Sequence, residues 1–264
     1  MAADLDRAIV QQLSNELLEA ERTRVPIAPL TERYPDLTEA DAYAVQFATI
    51  ERKLAAGARV VGKKIGLTSL AMQQMFGVDQ PDYGHLLDTM TVLEGGELPI
   101  DSLIQTRVEP EIAFVLKADL VGPNVTRDQV MASTAYVTPA LEIIDSRVRD
   151  WKIKLGDTVA DNGSSARIVL GTTCTPVDAV DLRLVGAVLE KNGEVLYTAA
   201  GAAALGDPAI AVAWLANKLA TFDILLRAGE IILPGAVTKA APVERGDTIR
   251  ATYDRLGSVS VKFV

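Results

Sequence analysis

A chain of 264 residues, 49% hydrophobic and 23% charged, has the makeup of a globular protein with room for one sizeable core, or for a small unit attached to a large one. A formal net charge of −9 with no basic block argues against nucleic acid and anionic membrane as partners, because both need a lysine and arginine footprint. The single cysteine, Cys174, excludes an internal disulfide, and the single histidine, His85, excludes zinc sites built on paired histidines.

The N-terminus is acidic and amphipathic, with Leu5, Ile9, Leu13 and Leu17 on one helical stripe, unlike a secretory leader. With no run of about 18 apolar residues, the expectation is a cytoplasmic protein with no membrane partner. Pro26, Pro29 and Pro35 break the chain into an irregular connection. Thr38-Glu-Ala-Asp41 has the form of a capping box, followed by Tyr43, Phe47, Ile50 and Leu54 at helical spacing and closed by Gly57. Residues 1–57 therefore read as a helical N-terminal region and 58–264 as a β-rich catalytic domain.

From Val60 the periodicity turns to strands. Residues 60–65 predict a strand, 69–76 one or two helical turns, and 77–87 a loop. Strands are predicted over 107–116 and 136–145, with a short helix from Thr126 between them. Residues 181–190 and 194–198 flank Asn192-Gly193, a strong hairpin signal. Asp207-Pro208 opens a helix bearing Val212, Leu215 and Leu219, and short strands over 230–233, 248–253 and 258–264 complete the chain. Many short strands with glycine turns and few helices point to a closed or rolled β architecture.

Phosphate-loop, dinucleotide and nucleophile-elbow motifs are all missing from the sequence, which leaves carboxylates, lysines and a metal as chemical tools. In Arg107-Val-Glu109-Pro-Glu111-Ile-Ala-Phe114 the two glutamates share one strand face, and Glu142 in Leu141-Glu142-Ile-Ile-Asp145 shares a face with Ala140 and Ile144. Two carboxylates about 4 Å apart repel by roughly 4 kcal/mol at an effective dielectric near 20. A third acid nearby would require a counter-charge such as Mg²⁺ or Mn²⁺, which take oxygen ligands. The competing reading places Glu109 and Glu111 on a solvated face and pairs Glu142 with an arginine such as Arg147.

Gly62-Lys63-Lys64-Ile-Gly66 puts lysines beside a tight glycine turn. Lys63 reads as a solvated side chain, and Lys64, leaving the sheet at a rim, as the candidate functional cation. Asp79-Gln-Pro-Asp82-Tyr-Gly-His85 reads as a loop in which Asp82 either lines a site or shapes a turn. Asp161-Asn-Gly-Ser-Ser165 is a second turn-forming segment open to either role.

In this order, Gly62-Lys-Lys64-Ile-Gly-Leu-Thr-Ser69, Pro81-Asp82-Tyr-Gly84, Glu109-Pro-Glu111-Ile-Ala-Phe114, Glu142-Ile-Ile-Asp-Ser-Arg147 and Val159-Ala-Asp-Asn-Gly-Ser-Ser165 resemble the 2-oxopent-4-enoate (2-hydroxypenta-2,4-dienoate) hydratases of aromatic meta-cleavage pathways. That group also contains the 4-oxalocrotonate decarboxylases and belongs to the fumarylacetoacetase-like superfamily. The resemblance covers nearly the whole chain and implies an α+β fold, a mixed β-roll core with a small helical N-terminal layer. It implies Mg²⁺ or Mn²⁺ held by Glu109, Glu111 and Glu142, with Lys64 and Asp82 as the catalytic lysine and aspartate. It further implies a small 2-hydroxydienoate or 2-oxo acid substrate, a pentameric or decameric homo-oligomer, and association with a pathway decarboxylase. Trp151-Lys-Ile-Lys154 and the stretch around Trp214 resemble the hydratase branch more than the decarboxylase branch. Gly163 departs from the alanine common in relatives.

Overall fold

A computed structural model describes residues 5–69, 73, 78 and 80–264. Two mixed sheets share one core. The strands are β1 (Val60–Gly66), β2 (Asp82–Leu87), β3 (Thr91–Val92), β4 (Glu97–Leu98), β5 (Thr106–Leu116), β6 (Thr134–Asp145), β7 (Ser165–Leu170), β8 (Gly186–Lys191), β9 (Glu194–Ala200), β10 (Ile231–Leu233), β11 (Ala241–Pro242), β12 (Thr248–Tyr253) and β13 (Gly257–Phe263). The larger sheet runs β2-β1-β10-β5-β6-β7-β3 with β11 also on β5, and the smaller runs β4-β13-β12-β8-β9. Buried Ile112, Phe114 and Leu141 of the first meet Ile249, Val259 and Val261 of the second in one apolar cluster. This is the rolled α+β architecture expected from the sequence.

The helical layer forms for legible reasons. Asp6 caps the helix Arg7–Thr23, which buries Val10, Leu13, Leu17 and Ala20. Thr38 and Asp41 form the reciprocal capping box of the helix Glu39–Ala55, and Gly57 follows it at φ 102°. A short helix, Leu30–Arg33, sits within the proline-broken connection. Asp157, in the helix Leu155–Ala160, accepts hydrogen bonds from the Thr31 amide (3.0 Å) and hydroxyl (2.7 Å). Gln46 donates to the carbonyls of Tyr83 and Val159. The N-terminal helices are thereby bonded to β2 and to the helix Leu155–Ala160. The predicted helix at Thr126 and the Asn192-Gly193 hairpin are present, the latter with both turn residues at positive φ.

Several expectations are corrected. Residues 82–87 form no loop. They are a buried strand paired antiparallel with β1, Gly66 opposite Asp82 and Lys63 opposite His85. Their glycine and aspartate suggested a turn, but tertiary pairing and burial decide the conformation. The strand predicted from 181 begins only at Gly186. Lys63 is not solvated: it is 3% exposed and pairs with Glu230 at 2.8 Å. Arg147 pairs with Asp161 rather than Glu142. The helix expected at 69–76 falls largely outside the described residues, as does Asp79.

An irregularity of the large sheet lies beside the acidic strand. Both β10 and β11 pair with β5, near Val115 and Val108 respectively, and residues 234–240 arch across the strand between them. Pro110, which has no amide proton, lies in that gap, where its carbonyl accepts from the Val237 amide at 3.0 Å and no strand partner needs its missing N–H.

Candidate metal centre

The antiparallel register of β5 and β6 sets Glu109 opposite Glu142 and Glu111 opposite Ala140. Opposed side chains project to the same side of a sheet, so three acids separated in sequence converge. Each offers an oxygen within 4.8 Å of the others. Glu111 and Glu142 are fully buried. Glu111 Oε1 and both oxygens of Glu142 have no hydrogen-bond partner, a costly state for buried carboxylates. The other Glu111 oxygen accepts from the Gly235 amide at 2.7 Å. Gly235 sits at φ 117°, and a Cβ there would lie 2.0 Å from Thr68 Oγ1, so only glycine lets the 234–240 segment approach this closely. An all-oxygen set with unpartnered atoms fits a hard divalent cation of the Mg²⁺ or Mn²⁺ type.

Lys64 is buried rather than at a rim, its Nζ 3.5 Å from Glu142 Oε2. Asp82 is buried beside it, with Oδ1 unpartnered and Oδ2 3.5 Å from the Thr158 hydroxyl. Gly66 allows this meeting, because a Cβ there would fall 2.1 Å from Asp82 Oδ1 and 3.3 Å from Lys64 Nζ. Behind Lys64, Asn162, Gly163 and Ser164 form a tight turn with three consecutive positive φ values. Asn162 fastens that turn to β2 by accepting from the His85 amide (2.7 Å) and donating to its carbonyl (2.9 Å). Gly163 is the residue where a Cβ would press to 3.1 Å from Lys64 Nζ.

Electrostatics follow from crowding acids in a dry place. Burial, reinforced by Glu142 and Asp82 and opposed by Lys64, pushes Glu109 up to about 7. Burial and the other two glutamates raise Glu111 well above its ordinary value. Burial also raises Asp82, against the pull of Lys64. For Lys64 burial opposes the charged form, but the surrounding carboxylates, Glu142 foremost, outweigh it and hold the ammonium above its ordinary range.

These groups lie at and beneath the floor of a cavity of about 610 Å³. Lys64, Asp82 and Glu109 line it directly, with a largely apolar wall that includes Ile65, Leu67, Ile144, Ile153 and Val237. The five residues singled out from the sequence are thus brought together. His85 is not among the lining residues; its Nδ1 lies 3.1 Å from Gln46 Oε1. Sequence reasoning passed over Arg107, Thr158 and the 236–240 segment, all of which line the cavity. Arg107 was within reach of the period-two rule that linked Glu109 to Glu111. The 236–240 segment carries no local signal, since its position comes from the pairing of β10 and β11 with β5.

Residues 79–264 match the model of the fumarylacetoacetate (FAA) hydrolase C-terminal family, and the chain belongs to it. Within the family it is 51% identical to the 2-hydroxypent-2,4-dienoate hydratase of Pseudomonas putida over 221 residues, 83% of this chain and 100% of the relative. It is 45% identical to the 4-oxalocrotonate decarboxylase of Pseudomonas sp. (strain CF600) over 264 residues, 100% of both chains. Among solved structures, the 4-oxalocrotonate decarboxylase from Pseudomonas putida G7, complexed with magnesium and adipate, superposes with a TM-score of 0.97 at 43% identity, covering 99% of this chain and 100% of that one.

Proposed function

We propose that the chain is a metal-dependent hydro-lyase that adds water to 2-hydroxypenta-2,4-dienoate (2-oxopent-4-enoate) or a close homologue, giving a 4-hydroxy-2-oxo acid in meta-cleavage catabolism of aromatic compounds. The observation that carries this reading is the convergence of three carboxylates, two of them fully buried with unpartnered oxygens, beside Lys64 and Asp82 at one cavity. The 51% identity to a hydratase supports it.

Glu109, Glu111 and Glu142 would hold Mg²⁺ or Mn²⁺, which supplies Lewis-acid stabilisation of negative charge on a 2-oxo oxygen. Lys64 keeps its ammonium charged and presents it to the substrate oxygen where that charge develops, a term that is often the largest in catalysis. Asp82, raised by burial and with Oδ1 free, takes and returns a proton at that atom and orients the attacking water. The apolar wall excludes bulk water from the rest of the substrate.

A cavity of this size takes a small-molecule substrate. No helix among the described residues is long and apolar enough to cross a membrane. The reading extends to a cytoplasmic homo-oligomer, pentamer or decamer, that associates with a decarboxylase of the same pathway.

A second reading, 2-oxo acid decarboxylation of the 4-oxalocrotonate type, is favoured by one observation: the decarboxylase relative aligns over the whole length of both chains. Incubation with 2-hydroxypenta-2,4-dienoate and, separately, with 2-oxohex-3-enedioate decides between them. Hydration of the first without CO₂ from the second supports the hydratase. CO₂ release from the second with no hydration of the first overturns it.

A further inference from the structure

We propose that Arg107 receives the substrate's C1 carboxylate, and that Trp151 is the platform that presents its guanidinium. This deepens the reading of the cavity as a 2-oxo acid site and rests on it.

Arg107 lies two residues before Glu109 on β5, on the same face, and lines the same cavity. Among the described residues its side chain makes no hydrogen bond and no ion pair. Arg147, by contrast, is engaged with Asp161 and with the carbonyls of Asp145 and Ser165. An unpaired fork of donors facing a mostly apolar cavity has the geometry that binds a planar carboxylate through two bonds.

The guanidinium is also held in place. Arg107 Cζ lies 4.5 Å from the centre of the Trp151 ring, within cation–π range. The indole N–H is tied to the Gln105 carbonyl at 2.9 Å. Asp150 and Trp151 sit at φ 59° and 55°, backbone values that non-glycine residues adopt only where the surroundings impose them. A strained, anchored tryptophan stacked on an unpartnered arginine is a built arrangement.

Charge and position select the carboxylate next to the 2-oxygen rather than a group at the far end. When ionised, Glu109, Glu111, Glu142 and Asp82 outweigh Lys64 and a bound dication by one unit, so an anionic acid would approach a negative floor. Arg107 cancels that excess. Two residues from Glu109 on one face of β5, and lining the cavity beside it, the guanidinium is placed at the glutamate end of the cavity. Lys64, deeper and 3.5 Å from Glu142, is then free for the 2-oxygen. The tail of the substrate is left to apolar wall residues such as Leu67, Ile153 and Val237.

The test is calorimetric binding of 2-oxopentanoate, a saturated acid that cannot be hydrated, to the full chain with excess Mg²⁺. R107M should weaken binding by about 30-fold, the scale of a lost charge-assisted pair. Mg²⁺ affinity measured without the acid should stay within roughly threefold, since Arg107 is not a ligand. R107K, which keeps the charge, should recover part of the loss. W151F, which keeps a ring, should lose less than R107M. The same loss is expected with the diacid 2-oxohexanedioate. Unchanged affinity in both Arg107 variants, or a loss confined to the diacid, overturns the assignment. No binding of 2-oxopentanoate to the wild-type protein overturns both this assignment and the function it rests on. Binding without turnover of the dienoate removes the hydratase reading and leaves Arg107 in its role.

Discussion

Glu109 and Glu142 face each other directly across the β5–β6 pair. Like charges in that relation destabilise a sheet by up to about 1 kcal/mol even at a surface. Here Glu142 is fully buried and Glu111 adds a third acid, so the register itself creates the demand for a cation.

Glu111→Gln separates metal binding from folding. Burial and the other two glutamates favour the neutral form of the Glu111 carboxyl in metal-free protein, and glutamine has the same shape and no charge. The metal-free variant should therefore unfold within roughly 1 kcal/mol of wild type, the range of an isosteric polar change. Mg²⁺ at a hundredfold excess over its dissociation constant should stabilise wild type by about 2.7 kcal/mol and the variant far less. Thermal unfolding with and without Mg²⁺ measures both, and an equal metal response in the two proteins would remove Glu111 from the ligand set.

Gly66→Ala inserts a methyl 2.1 Å from Asp82 Oδ1. Asp82 must move, and a displacement near 1 Å at a reacting group can cost about 100-fold in rate. Steady-state hydration should show that loss in kcat, with the circular dichroism spectrum unchanged. Wild-type kcat would mean that Asp82 carries no step.

Lys64→Met removes the ammonium that compensates Glu142. Breaking one side of a buried pair costs about 3 kcal/mol. Urea unfolding of metal-free protein should show most of that loss, and Lys64→Met combined with Glu142→Gln should recover part of it. Strict additivity of the two single changes would contradict the coupling.

His85 gives a pH signature outside the cluster. Burial first, then the charge of Lys63, which is itself paired with Glu230, depresses it to about 3. A histidine depressed in the folded state is neutral there while the unfolded chain protonates near pH 6.5. Its contribution to stability is therefore complete above pH 6.5 and declines as pH falls toward 3, by about 1.4 kcal/mol per unit. The stability difference between wild type and His85→Gln should change by that slope between pH 6 and 5. In the NMR spectrum the lone imidazole should show no titration over pH 5–8.

Much of this molecule is legible in local chemistry alone. The Thr38–Asp41 box, the Asn192-Gly193 turn and the Asp207-Pro208 helix start are local devices whose chemistry specifies their conformation, and all are present. The α+β roll and the family followed from motif order. What could not be read locally was anything fixed by a distant partner. Lys63 looked solvated because its partner Glu230 is far along the chain. Residues 82–87 looked like a loop because only pairing with β1 makes them a strand. Arg147 looked available to Glu142 until Asp161 folded onto it. In the candidate site, the glutamates and Lys64 were visible as residue types at a spacing, whereas the 234–240 arch that supplies the Gly235 amide arises from register alone.

The grip of Asp157 on Thr31 reaches further than helix docking. The next residue is Thr158, whose hydroxyl stands 3.5 Å from Asp82, so the scaffold steadying the proposed proton carrier is itself clasped by the amino-terminal segment. Clipping away those leading helices would strip Asp157 of its Thr31 bonds and the Val159 carbonyl of Gln46, leaving Asp82 without the scaffold behind its Thr158 contact.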